Sequence, residues 1–381
     1  MVYFASRCFF VLVVGSELVI RSFKSPMEYV QGRDALSQLG DQVAPIAETA
    51  LVIGDSDVLG IIGDRAEASL EESDVDVTLE EFGGEASETE IDRITEVARE
   101  IDADVIVGAG GGKGLDTAKA VRENAGGAMV SMPTIASTDA PTSSLSVIYS
   151  EDGEFERYRF YESHPDVVLV DTSVIAGAPV RFLTSGIADA MATWFEADAV
   201  HRTGGANFFD EDPTYAAHSL SSLCYDLLRD HGVSSIRAVE NGIVTESVEA
   251  VVEANTLLSG LGFENGGLAA AHSIHNGLTQ LEDTHHATHG EKVNFGTLTQ
   301  LVLEGRSNAF IEDIIDFSVA TDLPVTLAEL GVDNPSQDDL DRVAQATVAD
   351  EETIHNAFDV SSDEVRDAMI AADELGSKRL A

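Results

Sequence analysis

Half of the histidines in this chain fall in one window. Residues 262–292, GFENGGLAAAHSIHNGLTQLEDTHHATHGEK, hold five of the ten: His272, His275, His285, His286 and His289. Neutral imidazole is a common ligand for borderline metals such as zinc. Gly262, Gly266 and Gly267 permit close backbone approach just ahead of the cluster. On these residues alone, a metal site and a histidine-rich helix and loop are equal readings. A second stretch able to do chemistry is residues 105–119, VIVGAGGGKGLDTAK. An apolar strand runs into Gly108, Gly110, Gly111 and Gly112 and then into a helix, and unshielded amides at a helix N-terminus suit a pyrophosphate. Two common phosphate templates fail here. GxGxxG from Gly108 needs glycine where Lys113 stands; GxxxxGK[ST] needs glycine at Val107 and Ser or Thr at Gly114. A glycine-rich turn without a ligand stays open as the alternative.

The elements that must position these residues follow from apolar periodicity. Residues 50–54 (ALVIG) read as a buried parallel strand ending at Asp55. A helix follows, then a second strand over 75–82. Ile91, Ile94, Val97 and Ile101 lie at helical spacing in 89–101. Next come a strand at 103–107, a helix carrying Leu115, Ala118 and Val121, and a strand at 127–132. This alternation predicts a parallel α/β sheet. Residues 145–150 and 154–161, joined by Asp152-Gly153, predict a β-hairpin, and 167–170 (VVLV) one more strand. After Pro179 strand signals fade, and long helical patterns cover 183–201, 215–231 and 245–261 and continue to the C-terminus. The expected organisation is an α/β nucleotide-binding domain over 21–175 followed by an all-helical domain over 176–381, with the boundary near 172–182.

Composition limits the partners. The chain has 381 residues, 44% hydrophobic and 24% charged, as in a globular protein of more than one domain. Asp and Glu number 68 against 22 Lys and Arg, a formal net charge of −46. Such a field repels nucleic acid and anionic membranes, so neither is an expected partner. The acids are spread through periodic apolar segments, which argues against disorder. A folded chain with this self-repulsion needs screening, and the Debye length falls to about 3 Å in molar salt; a halophile's cytoplasm is the expected setting. Two cysteines, Cys8 and Cys224, offer neither a disulfide framework nor a CxxC pair. The apolar run near the start is too short for a membrane span and lacks a basic lead apart from Arg7.

Three stretches together carry a family resemblance: 108–119 (GAGGGKGLDTAK), 132–149 (MPTIASTDAPTSSLSVIY) and 266–277 (GGLAAAHSIHNG). With 82–93 (FGGEASETEIDR), 185–196 (SGIADAMATWFE) and 289–300 (HGEKVNFGTLTQ), the chain resembles the glycerol dehydrogenases, the NAD-dependent, zinc-using branch of the iron-type alcohol dehydrogenase superfamily. The resemblance runs from about Phe23 to the C-terminus. Residues 1–20 have no counterpart, and an upstream extension, for instance from a misassigned start codon, is expected there rather than a targeting signal.

The resemblance implies an N-terminal domain that binds NAD, a helical domain that carries the metal, and an active site in the cleft between them. By position, Asp189, His272 and His289 are the zinc ligands; His275 lines the pocket, and His285 and His286 are loop residues. Two histidines and a carboxylate also make a sound catalytic zinc set with an open position. Iron-using relatives place a fourth ligand, a histidine, where Thr193 stands here, which favours zinc. The same carry-over assigns Gly110, Gly111, Gly112 and Lys113 to the pyrophosphate and Thr134, Ser137, Ser143, Leu145 and Tyr149 to the nicotinamide and ribose side. Asp55 is assigned to the adenosine ribose, with a helix N-cap as its alternative role; a carboxylate there favours NAD over NADP. Asp116 faces the glycine loop at the helix start. Asp139, in STDAP, binds a substrate hydroxyl. The implied reaction is zinc-assisted hydride transfer from glycerol, or another small vicinal diol, to NAD, giving dihydroxyacetone, in a homo-oligomer. Two rivals share the architecture: glycerol-1-phosphate dehydrogenase and a dehydroquinate-synthase-like lyase. Both must bind phosphate, and Lys292 and Arg306 are the only Lys or Arg between positions 238 and 341.

Overall fold

The computed structural model describes residues 20–381; the expectation for the N-terminal extension falls almost entirely outside them. Among the described residues, eight strands form two sheets. Six parallel strands, β1 (Glu28–Gly32), β2 (Thr49–Gly54), β3 (Asp76–Glu81), β4 (Val105–Gly110), β5 (Ala128–Pro133) and β8 (Val167–Asp171), take the order β1-β8-β5-β4-β2-β3. The remaining two, β6 (Leu145–Tyr149) and β7 (Phe155–Phe160), make the antiparallel hairpin that Asp152-Gly153 predicts. Side chains alternate across the large sheet with the period of two that strands impose. Val52 and Val107 pack on one face with Ile62 and Leu70, and Leu51, Ile53 and Ile106 on the other with Ile91 and Ile94. Both faces are covered, so the central strands are continuously apolar.

Strand β1 is absent from the sequence reading. Its residues, EYVQG, sit at the sheet edge and are only half-buried, so they carry no apolar run. They are a strand because they pair in register with β8, whose Val167 lies opposite Glu28. Asp55 therefore ends the second strand of the chain, not the first. Strand β4 also runs further than expected, through Gly110.

Strand order reverses between β2 and β4: from β2 the chain steps outward to β3, and from β4 it steps the opposite way to β5. The C-terminal ends of such a pair flank a crevice, the usual ligand site of an open parallel sheet. Asp55 closes β2 there, and the glycine run closes β4.

All elements from Thr172 onward are helical. One core cluster spans this half, from Ile187, Met191 and Phe195 to Val365 and Met369. The helix expected over 245–261 is broken. It runs as Glu246–Glu253, passes through one π-helical turn at Ala254–Leu258, and resumes as Ser259–Gly266. No helix among the described residues is long and apolar enough to cross a membrane.

Candidate active site and metal centre

Three helices bring the predicted ligands together. Asp189 lies inside the long helix Val180–Thr203 and is 1% exposed. His272 lies on Ala270–Leu278. His289 is the first residue of His289–Leu303, a start fixed by a capping box: the Thr288 hydroxyl accepts from the Glu291 N–H, and the Glu291 carboxylate accepts from the Thr288 N–H. Close helix approach needs glycine at two points. A Cβ on Gly290 would fall 1.8 Å from the Ser185 carbonyl oxygen, and one on Gly296 would fall 2.3 Å from that of Ala271.

The result is a convergence of donor atoms. Nε2 of His272 lies 3.2 Å and Nε2 of His289 3.1 Å from the same oxygen, Oδ1 of Asp189. All three ligand atoms lie within 4.8 Å of one another, and this is the only such group among the described residues. Two imidazole nitrogens and one carboxylate oxygen would leave the fourth position of a tetrahedral divalent ion for an exchangeable ligand. Burial opposes ionisation of Asp189, but the His289 and His272 rings outweigh it and hold its carboxyl below the usual range. Burial also works against the His272 imidazolium, and the Glu196 and Asp189 carboxylates overcome it and raise its pKa well above the ordinary value.

Glu196 is the principal residue that sequence reasoning left without a role. It sits on the Asp189 helix, fully buried, and its Oε2 lies 2.6 Å from Nδ1 of His272. Its Oε1 accepts from the N–H groups of Ala269 and His272. One carboxylate thus anchors both the ring and the backbone of the helix start. The available signal was its place seven residues after Asp189, two helical turns along the same face.

The other histidines of the window divide. His275 packs its ring 4.2 Å from that of His289, and its Nδ1 is 3.0 Å from Oδ1 of Asn276. Burial, then the neighbouring His289, depresses its pKa well below normal, so it stands as a neutral wall. His285 and His286 are exposed, and Nε2 of His285 meets the Thr279 carbonyl oxygen at 3.0 Å.

Asp139 reaches the Asp189, His272 and His289 group from the sheet half. Its N–H donates to Oδ2 of Asp189 at 3.2 Å, and its own Oδ2 accepts from the Ser259 hydroxyl at 3.1 Å. Burial and the Asp189 carboxylate together push its pKa well up. The Ser137 carbonyl oxygen accepts from the Ser185 hydroxyl, joining the same loop to the helix of Asp189. Thr134 is buried at the end of β5, its N–H donating to the Gly110 carbonyl oxygen.

At the crevice, Gly110 ends β4, Gly111 is the N-cap, and Gly112 opens the helix Gly112–Ala125. Lys113 Nζ is held by both oxygens of Glu85, at 2.5 and 2.6 Å, and lies 4.9 Å over the Tyr149 ring. Asp55 spends Oδ1 on capping its helix, through the Val58 N–H at 2.8 Å. Asp116 and Ser143 have their polar atoms engaged inside the protein. Lys119, 1% exposed, donates to Oδ1 of Asp116, to the Ser143 hydroxyl and to the carbonyl oxygens of Ala140 and Leu145. Asp116 also accepts from the Val147 N–H. These two residues tie the helix to the loop and hairpin. Leu145 is buried against Phe263 and Leu268.

Residues 26–172 match the iron-containing alcohol dehydrogenases. The chain is 61% identical over 357 residues to glycolaldehyde reductase of Halobacterium salinarum, covering 93% of this chain and 98% of that protein. It is 48% identical to glycerol dehydrogenase of Thermotoga maritima, covering 93% and 97%. The crystal structure of glycerol dehydrogenase from Schizosaccharomyces pombe superposes with a TM-score of 0.92 at 42% identity, covering 95% of this chain and 92% of that one.

Proposed function

The chain belongs to the iron-containing alcohol dehydrogenase family, in its glycerol dehydrogenase branch, and from that premise we propose that it oxidises glycerol and other small vicinal diols with NAD at a zinc centre. The observation that carries this reading is the hydrogen bond from the Asp139 N–H to Asp189, which joins the Asp189, His272 and His289 group to the loop that follows β5. Glycerol and NAD⁺ give dihydroxyacetone, NADH and a proton.

Asp189, His272 and His289 hold the ion. Zinc, when bound, supplies Lewis acidity toward a substrate hydroxyl, and NAD supplies the hydride acceptor. Glu196 fixes the His272 tautomer, leaving the Nε2 lone pair free to ligate. Asp139 accepts a hydrogen bond from the neighbouring hydroxyl of the diol. Gly110, Gly111, Gly112 and Lys113 take the pyrophosphate at the helix N-terminus. Thr134, Ser137, Leu145 and Tyr149 line the nicotinamide side, and Asp116 and Ser143 shape that wall from behind. Asp55 receives the adenosine ribose with the oxygen not used in capping, which favours NAD over NADP.

The phosphate-binding rivals lack cations at this site. Lys292 donates to the Ala287 carbonyl oxygen from a buried position and Arg181 is paired with Glu291, while Lys113 is assigned to the cofactor pyrophosphate. Reduction of glycolaldehyde is the same chemistry in reverse, since its product is the simplest vicinal diol; the 61% identical relative bears that name and supports this second substrate. We read the enzyme as a homo-oligomer of a salt-rich cytoplasm, divided near residue 175, where the last strand has ended at Asp171.

NADH production from glycerol, measured beside glycerol 1-phosphate and beside NADH-driven glycolaldehyde reduction, tests the proposal. Turnover of the phosphorylated substrate in preference to both others would overturn it.

A further inference from the structure

The π-helical turn at Ala254–Leu258 lies against the loop that carries Asp139. A π turn inserts a residue and resets the direction of every side chain after it, and such turns concentrate at functional sites. Two contacts join it to the loop, and two more come from the residues just after it. Asn255 donates through Nδ2 to the Ala136 carbonyl oxygen at 3.0 Å. The Thr142 hydroxyl donates to the Thr256 carbonyl oxygen at 3.1 Å. Gly260 makes room for Thr142, since a Cβ there would fall 1.7 Å from the Thr142 hydroxyl oxygen. Ser259, the first residue after the turn, donates to Oδ2 of Asp139.

Ser259 has only one proton. Given to Asp139, it leaves the Ser259 oxygen as acceptor for the Thr193 hydroxyl, 2.8 Å away. Thr193 and Ser259 are both fully buried, so water does not compete for these bonds. Thr193 stands four residues after Asp189 on the same helix, one turn on, and turns its hydroxyl to Ser259. The chain of donors Thr193 to Ser259 to Asp139 therefore begins on the helix that holds Asp189 and ends on a carboxylate whose N–H binds Asp189. That closed circuit locks the substrate loop to the metal helix through the π turn.

We propose that Thr193 and Ser259 are positioning residues for diol recognition. They hold one oxygen of Asp139 so that the other faces the substrate's second hydroxyl, with the π turn setting Ser259 in register. This rests on the reading of Asp139 as the diol-binding group. The consequence is a selectivity role: the pair strengthens binding of a substrate with two adjacent hydroxyls and does nothing for a simple alcohol.

The test uses full-length, metal-loaded enzyme. Ser259→Ala is expected to raise the KM for glycerol roughly tenfold, the scale of one lost buried hydrogen bond, with a much smaller change in kcat. The KM for 2-propanol stays unchanged, so the ratio of diol to simple alcohol kcat/KM falls. Thr193→Val moves the same way by a smaller factor, and Thr193→Ser, which restores the hydroxyl, recovers the loss. NADH affinity by fluorescence titration and metal content are expected to match the parent in each variant. If Asp139→Asn impairs glycerol but Ser259→Ala does not, the inference is overturned while the role of Asp139 stands. If Asp139→Asn leaves glycerol kinetics untouched, the reading of Asp139 fails instead. Equal losses with glycerol and 2-propanol, or loss of metal in Ser259→Ala, mark a general structural role and also overturn the inference.

Discussion

Oε2 of Glu196 lies 2.6 Å from Nδ1 of His272, while Nε2 of the same ring points at Asp189. A buried carboxylate behind a ligating imidazole fixes its tautomer and orientation and raises its basicity, and removing such a partner typically costs about 10–100-fold in metal affinity. Glu196→Ala is expected to lose zinc affinity on that scale, read by competition with a chromogenic chelator. Glu196→Gln, which keeps an acceptor for the Ala269 and His272 N–H groups, is expected to lose less. Equal zinc affinity in all three proteins would refute the role.

Removing the metal separates chemistry from cofactor binding. Chelator-treated enzyme and Asp189→Asn are both expected to lose diol oxidation while retaining NADH binding, because the glycine run and Asp55 lie at the ends of β4 and β2, and the proposed ligands on helices of the other half. Zinc added back restores only the parent. Substantial turnover by metal-free Asp189→Asn would be incompatible with the proposed centre.

Asp55 has two duties that substitution can divide. Asp55→Ser keeps a capping oxygen for the Val58 N–H and removes the charge, so stability is expected to hold while NADP use rises relative to NAD. Asp55→Ala also drops the cap, at a cost of about 1 kcal/mol. Kinetics with both cofactors, alongside denaturant melts, distinguish the two effects.

Lys292 predicts a pH dependence. Burial brings its pKa down to about 8 from 10.5. The unfolded chain therefore binds more protons between these values, and stability contributed by this group rises with pH across that window. The penalty is present in full below pH 8 and gone above 10.5. Lys292→Met is expected to be more stable than the parent at pH 7, with the gap shrinking toward pH 10. A gap that stays constant with pH would show that Lys292 is not the source.

With a net charge of −46, folding concentrates repulsion that salt relieves. Tm is expected to climb steeply between 0.1 M and molar KCl. A flat profile would remove the argument for a salt-rich setting.

Much of the fold was legible because its signals are local. Apolar runs of five and four residues at 50–54 and 167–170 mark strands buried on both faces, and Asp152-Gly153 marks the hairpin turn. Strand β1 was not legible, since an edge strand is defined by its partner, and Glu28 meets Val167 only after the chain has built four other strands of the sheet. The π turn escaped for a related reason. Residues 245–261 keep helical spacing throughout, and one inserted residue is visible only in where Ser259 ends up pointing.

The sequence by itself determined the charge, the alternating α/β order, the glycine run at a helix start and, by resemblance, the identities of Asp189, His272 and His289. It left the histidine window undecided, because spacing along a chain says which residues share a face and not what stands opposite. Only the tertiary structure brought Asp189 across separations of 83 and 100 residues to the two imidazoles, placed Glu196 behind one of them, and closed the path from Thr193 through Ser259 to Asp139. Such contacts arise when helices approach closely enough at Gly290 and Gly296 for backbone to meet backbone, and when Gly260 leaves room for the Thr142 hydroxyl. They are set by packing among elements far apart in the chain, and no local pattern records them.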